Sequence, residues 1–102
     1  MEIEWLGDSL DVVRRYGAAV RRAIGGELRL LQTGEQPVHA RPLTTVGRGV
    51  WELKIGMQEG QFRVIYVVKR NDRLYVLHTF QKKAQRTPRK DIELARARFK
   101  EI

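Results

Sequence analysis

Residues 50–80 read VWELKIGMQEGQFRVIYVVKRNDRLYVLHTF, and their pattern decides the fold. From 50 to 55 the side chains alternate: Trp51, Leu53 and Ile55 fall on one side, Glu52 and Lys54 on the other. A period of two marks a half-buried strand, because successive side chains in a strand point to opposite faces. Residues 61–69 continue it, with Phe62, Val64, Tyr66 and Val68 opposed to Arg63, Ile65 and Val67. Residues 74–80 form a third run. The connections 56–60 and 70–73 are short enough for hairpins, so the three strands are expected to form an antiparallel meander.

Outside this meander the period changes. Residues 2–6 alternate around Ile3 and Trp5 and read as a short strand. Asp8 or Ser9 can cap a helix of about two turns that ends near Tyr16-Gly17. A second helix is expected over 18–32, with Val20, Ile24, Leu28 and Leu31 as its apolar stripe. Gly25-Gly26 falls inside it, at about 1 kcal/mol per glycine relative to alanine, which suggests close packing of another element or a kink. Residues 33–49, broken by Gly34, Pro37, Pro42, Gly47 and Gly49, read as a loop. Thr87-Pro88 opens the last helix, with Thr87 as N-cap type and Pro88 at the first helical position. Ile92, Ala95, Phe99 and Ile102 form its stripe. The order β-α-α-β-β-β-α gives an α+β fold, an antiparallel sheet with helices packed mainly on one face. Length makes 1–102 a single domain with one core.

Charge is distributed unevenly. The net charge is +8, but residues 1–36 balance at −1 and residues 37–102 at +9. A basic half is the electrostatic footprint of a nucleic-acid binder. Five cations, Lys82, Lys83, Arg86, Arg89 and Lys90, arrive within nine residues without one acid among them. The absence of cysteine excludes a disulfide framework and Cys-based zinc sites. Two distant histidines, His39 and His78, do not make a zinc site, and neither metal nor cofactor is expected. No apolar run reaches the about 18–20 residues needed to span a bilayer. Met1-Glu2-Ile3-Glu4-Trp5 lacks a signal-peptide pattern, so cytoplasmic residence is expected.

Alternation places Lys54 and Arg63 on the polar face of neighbouring strands, the side away from the helices. Lys82, Lys83 and Arg86 leave the end of the next strand, where they can curl over the same face. Such a cluster can hold RNA phosphates. It can also cleave RNA without a metal, by attack of a ribose 2′-hydroxyl on its own 3′-phosphate. That step needs a base, a cation for the developing phosphorane charge, and an acid for the leaving 5′-oxygen. Arginine suits the middle role because its planar fork matches phosphate and stays charged. A lysine can be the base if neighbouring cations lower its pKa, the situation expected for Lys54. His78 is a second candidate base, although a lone strand histidine is more often structural. Phe80 could stack on a base but reads more simply as core. Lys83, Arg89, Lys90 and His78 complete the expected RNA-binding set.

The whole chain resembles the RelE/ParE superfamily of toxins, and most closely its phage-derived HigB-like branch. The resemblance is carried by Trp51-Glu52-Leu53-Lys54, by Phe62-Arg63-Val64-Ile65-Tyr66, and by Leu77-His78-Thr79-Phe80-Gln81-Lys82-Lys83. The tail from Gln85-Arg86-Thr87-Pro88 through Asp91-Ile92-Glu93-Leu94-Ala95 carries it most strongly. It implies a small toxin of a type II toxin-antitoxin system. Its targets would be mRNA and the ribosome, and its inhibitor a cognate antitoxin with a helix-turn-helix domain. It implies that Arg63 contacts the scissile phosphate and that Lys54, Lys82 and Arg86 serve the reaction beside it. The RelE pattern carries a second lysine where this chain has Glu52, and a late tyrosine, whereas no Tyr follows Tyr75 here. The acid and base are therefore open. So is the choice among three functions: a ribosome-dependent mRNA endoribonuclease, a ParE-like inhibitor of DNA gyrase, or a non-toxic RNA-binding module.

Overall fold

The alternating run 50–80 does fold as two hairpins, and the helices fall where the longer period places them. The computed structural model describes residues 1–70 and 72–102. Asn71, in the expected 70–73 hairpin connection, lies outside the described residues. The elements are β1 (Glu2–Trp5), α1 (Ser9–Arg14), α2 (Ala18–Gln32), β2 (Ala40–Pro42), β3 (Val50–Met57), β4 (Gly60–Lys69), β5 (Arg73–Lys82) and α3 (Arg89–Phe99). One five-stranded sheet runs in the order β1-β5-β4-β3-β2. β3, β4 and β5 form the expected antiparallel meander.

Two strand pairings were not foreseen. β1 joins the edge of β5 in parallel, with Glu2 opposite Arg73 and Trp5 opposite Val76. β2, three residues inside the stretch read as a loop, pairs antiparallel with β3. A run this short has no readable period, and Pro42 is tolerated because the strand lies at the edge.

The sheet divides the apolar interior into two clusters. On one face Val20, Ile24, Leu28 and Leu31 of α2, with Val13 of α1, pack on Leu53, Ile55, Phe62, Val64, Tyr66, Leu74 and Val76. Each such side chain, fully buried, contributes about 1.5–3 kcal/mol. On the other face Val50, Ile65, Val67, Tyr75, Leu77 and Phe80 meet Ala95, with Ile92 and Phe99 of α3 alongside. Two helices therefore share one face, and α3 covers part of the other. Gly25 and Gly26 follow neither expectation. α2 runs unbroken through them, and a Cβ at either would meet no described atom within 4 Å.

α3 docks by close approach and polar contacts more than by apolar area. Gly47 leaves room for the Phe99 ring, and Gly7, at a positive φ of 56°, leaves room for the Arg98 guanidinium. Side chains at either position would collide with α3. Lys69 sits over the Phe99 ring, 4.9 Å from its centroid. Among the described residues no helix is long and apolar enough to cross a membrane.

Candidate nucleic-acid interface

Strand parity delivers the central pair. Lys54 of β3 lies directly opposite Arg63 of β4, both on the sheet face turned away from α1 and α2. Directly opposed residues hold their Cβ atoms about 4.5–5.5 Å apart. Arg63 faces Phe80 on its other side, and Lys82 follows on β5 opposite Gln61. Lys54 is exposed, Lys82 half-buried, and Arg63 is buried as the floor of the group. Arg63 Nη1 donates to the Phe62 carbonyl at 2.9 Å. Its Nε is buried with no hydrogen-bond partner among the described residues. An unpaired buried guanidinium N–H is costly to the fold.

The charges here act on one another. The Lys82 ammonium is held below its ordinary value by partial burial first and then by Arg63, with Arg41 and Lys54 adding and Glu52 opposing. The Arg63 guanidinium is lowered by burial, with Glu52 opposing and Arg41 adding. The surroundings of Lys82 thus favour release of its proton. Among the described residues no enclosed cavity forms here, and the face is open surface.

Glu52, which sequence comparison marked only as a departure, is completely buried in the middle of these cations. Its Oε1 accepts from Arg41 Nε at 3.0 Å and pairs with Nη2 at 2.9 Å, and its Oε2 accepts from the Thr87 hydroxyl at 2.7 Å. Thr87 therefore does not cap α3. Pro88, which has no side-chain acceptor, occupies the N-cap position, and the Thr87 hydroxyl is engaged by Glu52. Arg41 went unnoticed in the sequence because its strand did.

The remaining candidates spread out from this group. Lys83 and Arg86 are exposed on the irregular segment between β5 and α3. Arg89 and Lys90 are exposed on the first turn of α3, and Arg89 pairs with Glu93 at 2.9 Å. His78 is drawn away from solvent. A β-bulge shifts the register between Ile65 and Tyr66, so that His78 pairs with Ile65, Val76 with Tyr66, and Leu77 is the extra residue. This breaks strict alternation and turns both Leu77 and His78 toward α3. His78 Nε2 meets Asp91 Oδ1 at 2.7 Å, and its ring stacks on Phe80 at 5.4 Å. Arg98 donates to the Leu77 carbonyl at 2.9 Å and reaches Asp8 at 2.9 Å. A buried, doubly engaged His78 offers no free nitrogen to RNA in this conformation; it fixes α3 beside the cations. Phe80 is buried with the same cluster, as core.

Comparison with known proteins agrees with this architecture. No curated protein sequence matches the chain. Among solved structures, the isolated E. coli RelE toxin matches at a TM-score of 0.60 and 15% identity, covering 82% of this chain and 87% of that one. The intact E. coli RelBE toxin-antitoxin complex contains a chain matching at 0.58 and 17%, covering 81% of this chain and 98% of that one. These likenesses show the RelE fold. The family model described as phage-derived protein Gp49-like matches residues 11–100. The chain belongs to the phage-derived Gp49-like family and has the fold of RelE.

Proposed function

We propose that the chain is a single-domain, HigB-like toxin of a type II toxin-antitoxin system, acting in the cytoplasm as a ribosome-dependent mRNA endoribonuclease. The observation that carries this reading is Lys54 directly opposite Arg63 on the face not covered by α1 and α2, with Lys82 beside them. In the proposed step the 2′-oxygen forms a bond to phosphorus and the bond from phosphorus to the 5′-oxygen breaks. Lys82, the amine with the lowered pKa, takes the 2′-hydroxyl proton. Arg63 holds the phosphorane oxygens through the part of its guanidinium that reaches the face, and Lys54 stabilises the same charge from across the strand pair. Arg86, on the exposed segment that follows, stabilises the negative charge on the leaving 5′-oxygen, which takes its proton from water. No metal takes part in the step.

The openness of the face supports the ribosome-dependent reading. An open surface neither excludes water nor fixes a flexible single strand, and orientation is where much of the rate enhancement of such reactions originates. A ribosome that presents mRNA in one conformation supplies that missing part. A cognate antitoxin, with a helix-turn-helix domain on the HigB-like pattern, would silence the toxin.

Arg63→Ala tests the reading. Growth arrest on expression should be lost, with cleavage reduced about 100-fold or more and thermal unfolding little changed. Primer extension on mRNA from expressing cells should show codon-phased cuts that vanish in the variant. Unchanged toxicity in Arg63→Ala would favour gyrase inhibition, and absence of any growth effect would favour a non-toxic RNA-binding module.

A further inference from the structure

Arg41, Glu52 and Thr87 form a unit that the proposed reaction does not use. Glu52 is fully buried, yet its Arg41 partner is half exposed, with 48% of its side chain in contact with solvent. Both Arg41 nitrogens that touch Glu52 converge on one carboxylate oxygen. This leaves Nη1 of a fixed guanidinium outside the pair. Arg41 lies opposite Glu52 on β3, two residues from Lys54, so it borders the Lys54–Arg63 pair. The other oxygen of Glu52 holds Thr87, the last residue before Pro88 and the anchor of the exposed segment that carries Lys83 and Arg86. An ion pair kept only for stability is an inefficient use of a buried carboxylate, since desolvation cancels much of the attraction. A carboxylate that orients two flanking elements around a cationic floor has a different use.

We infer that Arg41 is a further phosphate-binding residue of this face, and that Glu52 is a positioning residue that fixes Arg41 on one side and the 83–87 segment on the other. The inference rests on the face being an RNA-binding surface and names two more of its parts. Arg41 extends the track for a single strand beyond the Lys54–Arg63 pair toward the β2 edge. Glu52 occupies the position where the RelE pattern has a lysine, so one cation is exchanged for a carboxylate that aims another.

Binding of a fluorescent, 2′-O-methylated, single-stranded RNA oligonucleotide by the full chain provides the test, because the blocked 2′-oxygen prevents cleavage. Between about 50 and 200 mM salt, Arg41→Ala should weaken binding about 3- to 10-fold and reduce the slope of log K against log salt by about 0.7, one phosphate contact. Thr87→Val should weaken binding and Thr87→Ser should restore it. Glu52→Gln should weaken binding about twofold or more although it adds a net positive charge; equal or tighter binding overturns the positioning role. The Thr87 pair keeps that role open to refutation where Glu52→Gln does not fold: binding by Thr87→Val equal to the unsubstituted chain overturns it. Loss of affinity in Arg63→Ala with none in Arg41→Ala overturns the inference and leaves the reading of the face standing. No measurable binding by the unsubstituted chain overturns the inference, and the codon-phased cuts of the primer-extension experiment test the reading of the face separately.

Discussion

The two faces of the sheet are built by different means. Toward α1 and α2 the sheet presents Leu53, Ile55, Phe62, Val64, Tyr66, Leu74 and Val76, and the helices answer with an unbroken apolar stripe. Toward α3 lie Glu52, Arg63, His78 and Asp91, the buried charged and imidazole groups among the described residues. The first face holds by apolar area, which is non-directional and tolerant. The second adds to its own apolar cluster a few directional contacts, the His78–Asp91 pair, the Arg98 bonds and the Glu52 hub, each costly to leave half made. The contrast teaches a division of labour. The apolar area of the first face supports a second face that buries Glu52, Arg63 and Asp91.

The sharpest way to break the comparison is to weaken the apolar face. Ile24, 1% exposed, when truncated to Ala, should cost about 2–5 kcal/mol in denaturant unfolding. RNA binding by the molecules that remain folded should be unchanged. A selective loss of RNA binding without loss of stability would erase the distinction between the faces.

A smaller effect is expected on the other side. Asp91→Ala leaves the buried His78 Nε2 without its 2.7 Å partner and should cost about 1–3 kcal/mol. Hydrogen exchange should then rise across α3 while α2 stays protected. Equal loosening of both helices would show that the faces are not independent.

Gain should be available where the apolar face meets solvent. Gly25→Ala and Gly26→Ala each introduce a methyl group into open space on a continuous helix. Each should stabilise by about 0.5–1 kcal/mol, read as a raised thermal midpoint. A loss would mean that the helix needs freedom at those positions.

The smallest effect concerns pH. The Asp8 carboxyl is held below its ordinary 3.8 chiefly by its hydrogen bond from Arg98. A lowered carboxylate contributes stability above its unfolded value and loses it as pH falls through the folded one. Because Asp8 is exposed, that contribution is small. Asp8→Asn should therefore lower the thermal midpoint slightly at neutral pH, and the difference should close below about pH 4. A difference that persists in acid would assign the contact to something other than charge.

Much of this molecule was legible before its folding was seen. The α2 stripe and the parity that sets Lys54 beside Arg63 follow from local periods of 3.6 and 2. Lys83, Arg86, Arg89 and Lys90 were readable as a basic run, and they remain exposed. His78 shares the face of Phe80 and Lys82, but α3 covers it there through Asp91, a pairing that no local pattern marks. Thr87 looked like a helix cap because the choice between a backbone N–H and a distant carboxylate depends on what the fold brings near.

By itself the sequence determined every element but β2, the two hairpins and the charge carried by the exposed end of the sheet, since each depends on residues within a few positions of one another. Only the tertiary structure decided that β1 pairs in parallel with β5, that α3 crosses to the opposite face, and that Glu52 joins Arg41 to Thr87. Those contacts link residues 11 to 71 positions apart. Local propensity carries no information about such pairs; close packing and the need to satisfy buried charge select them once the chain is compact.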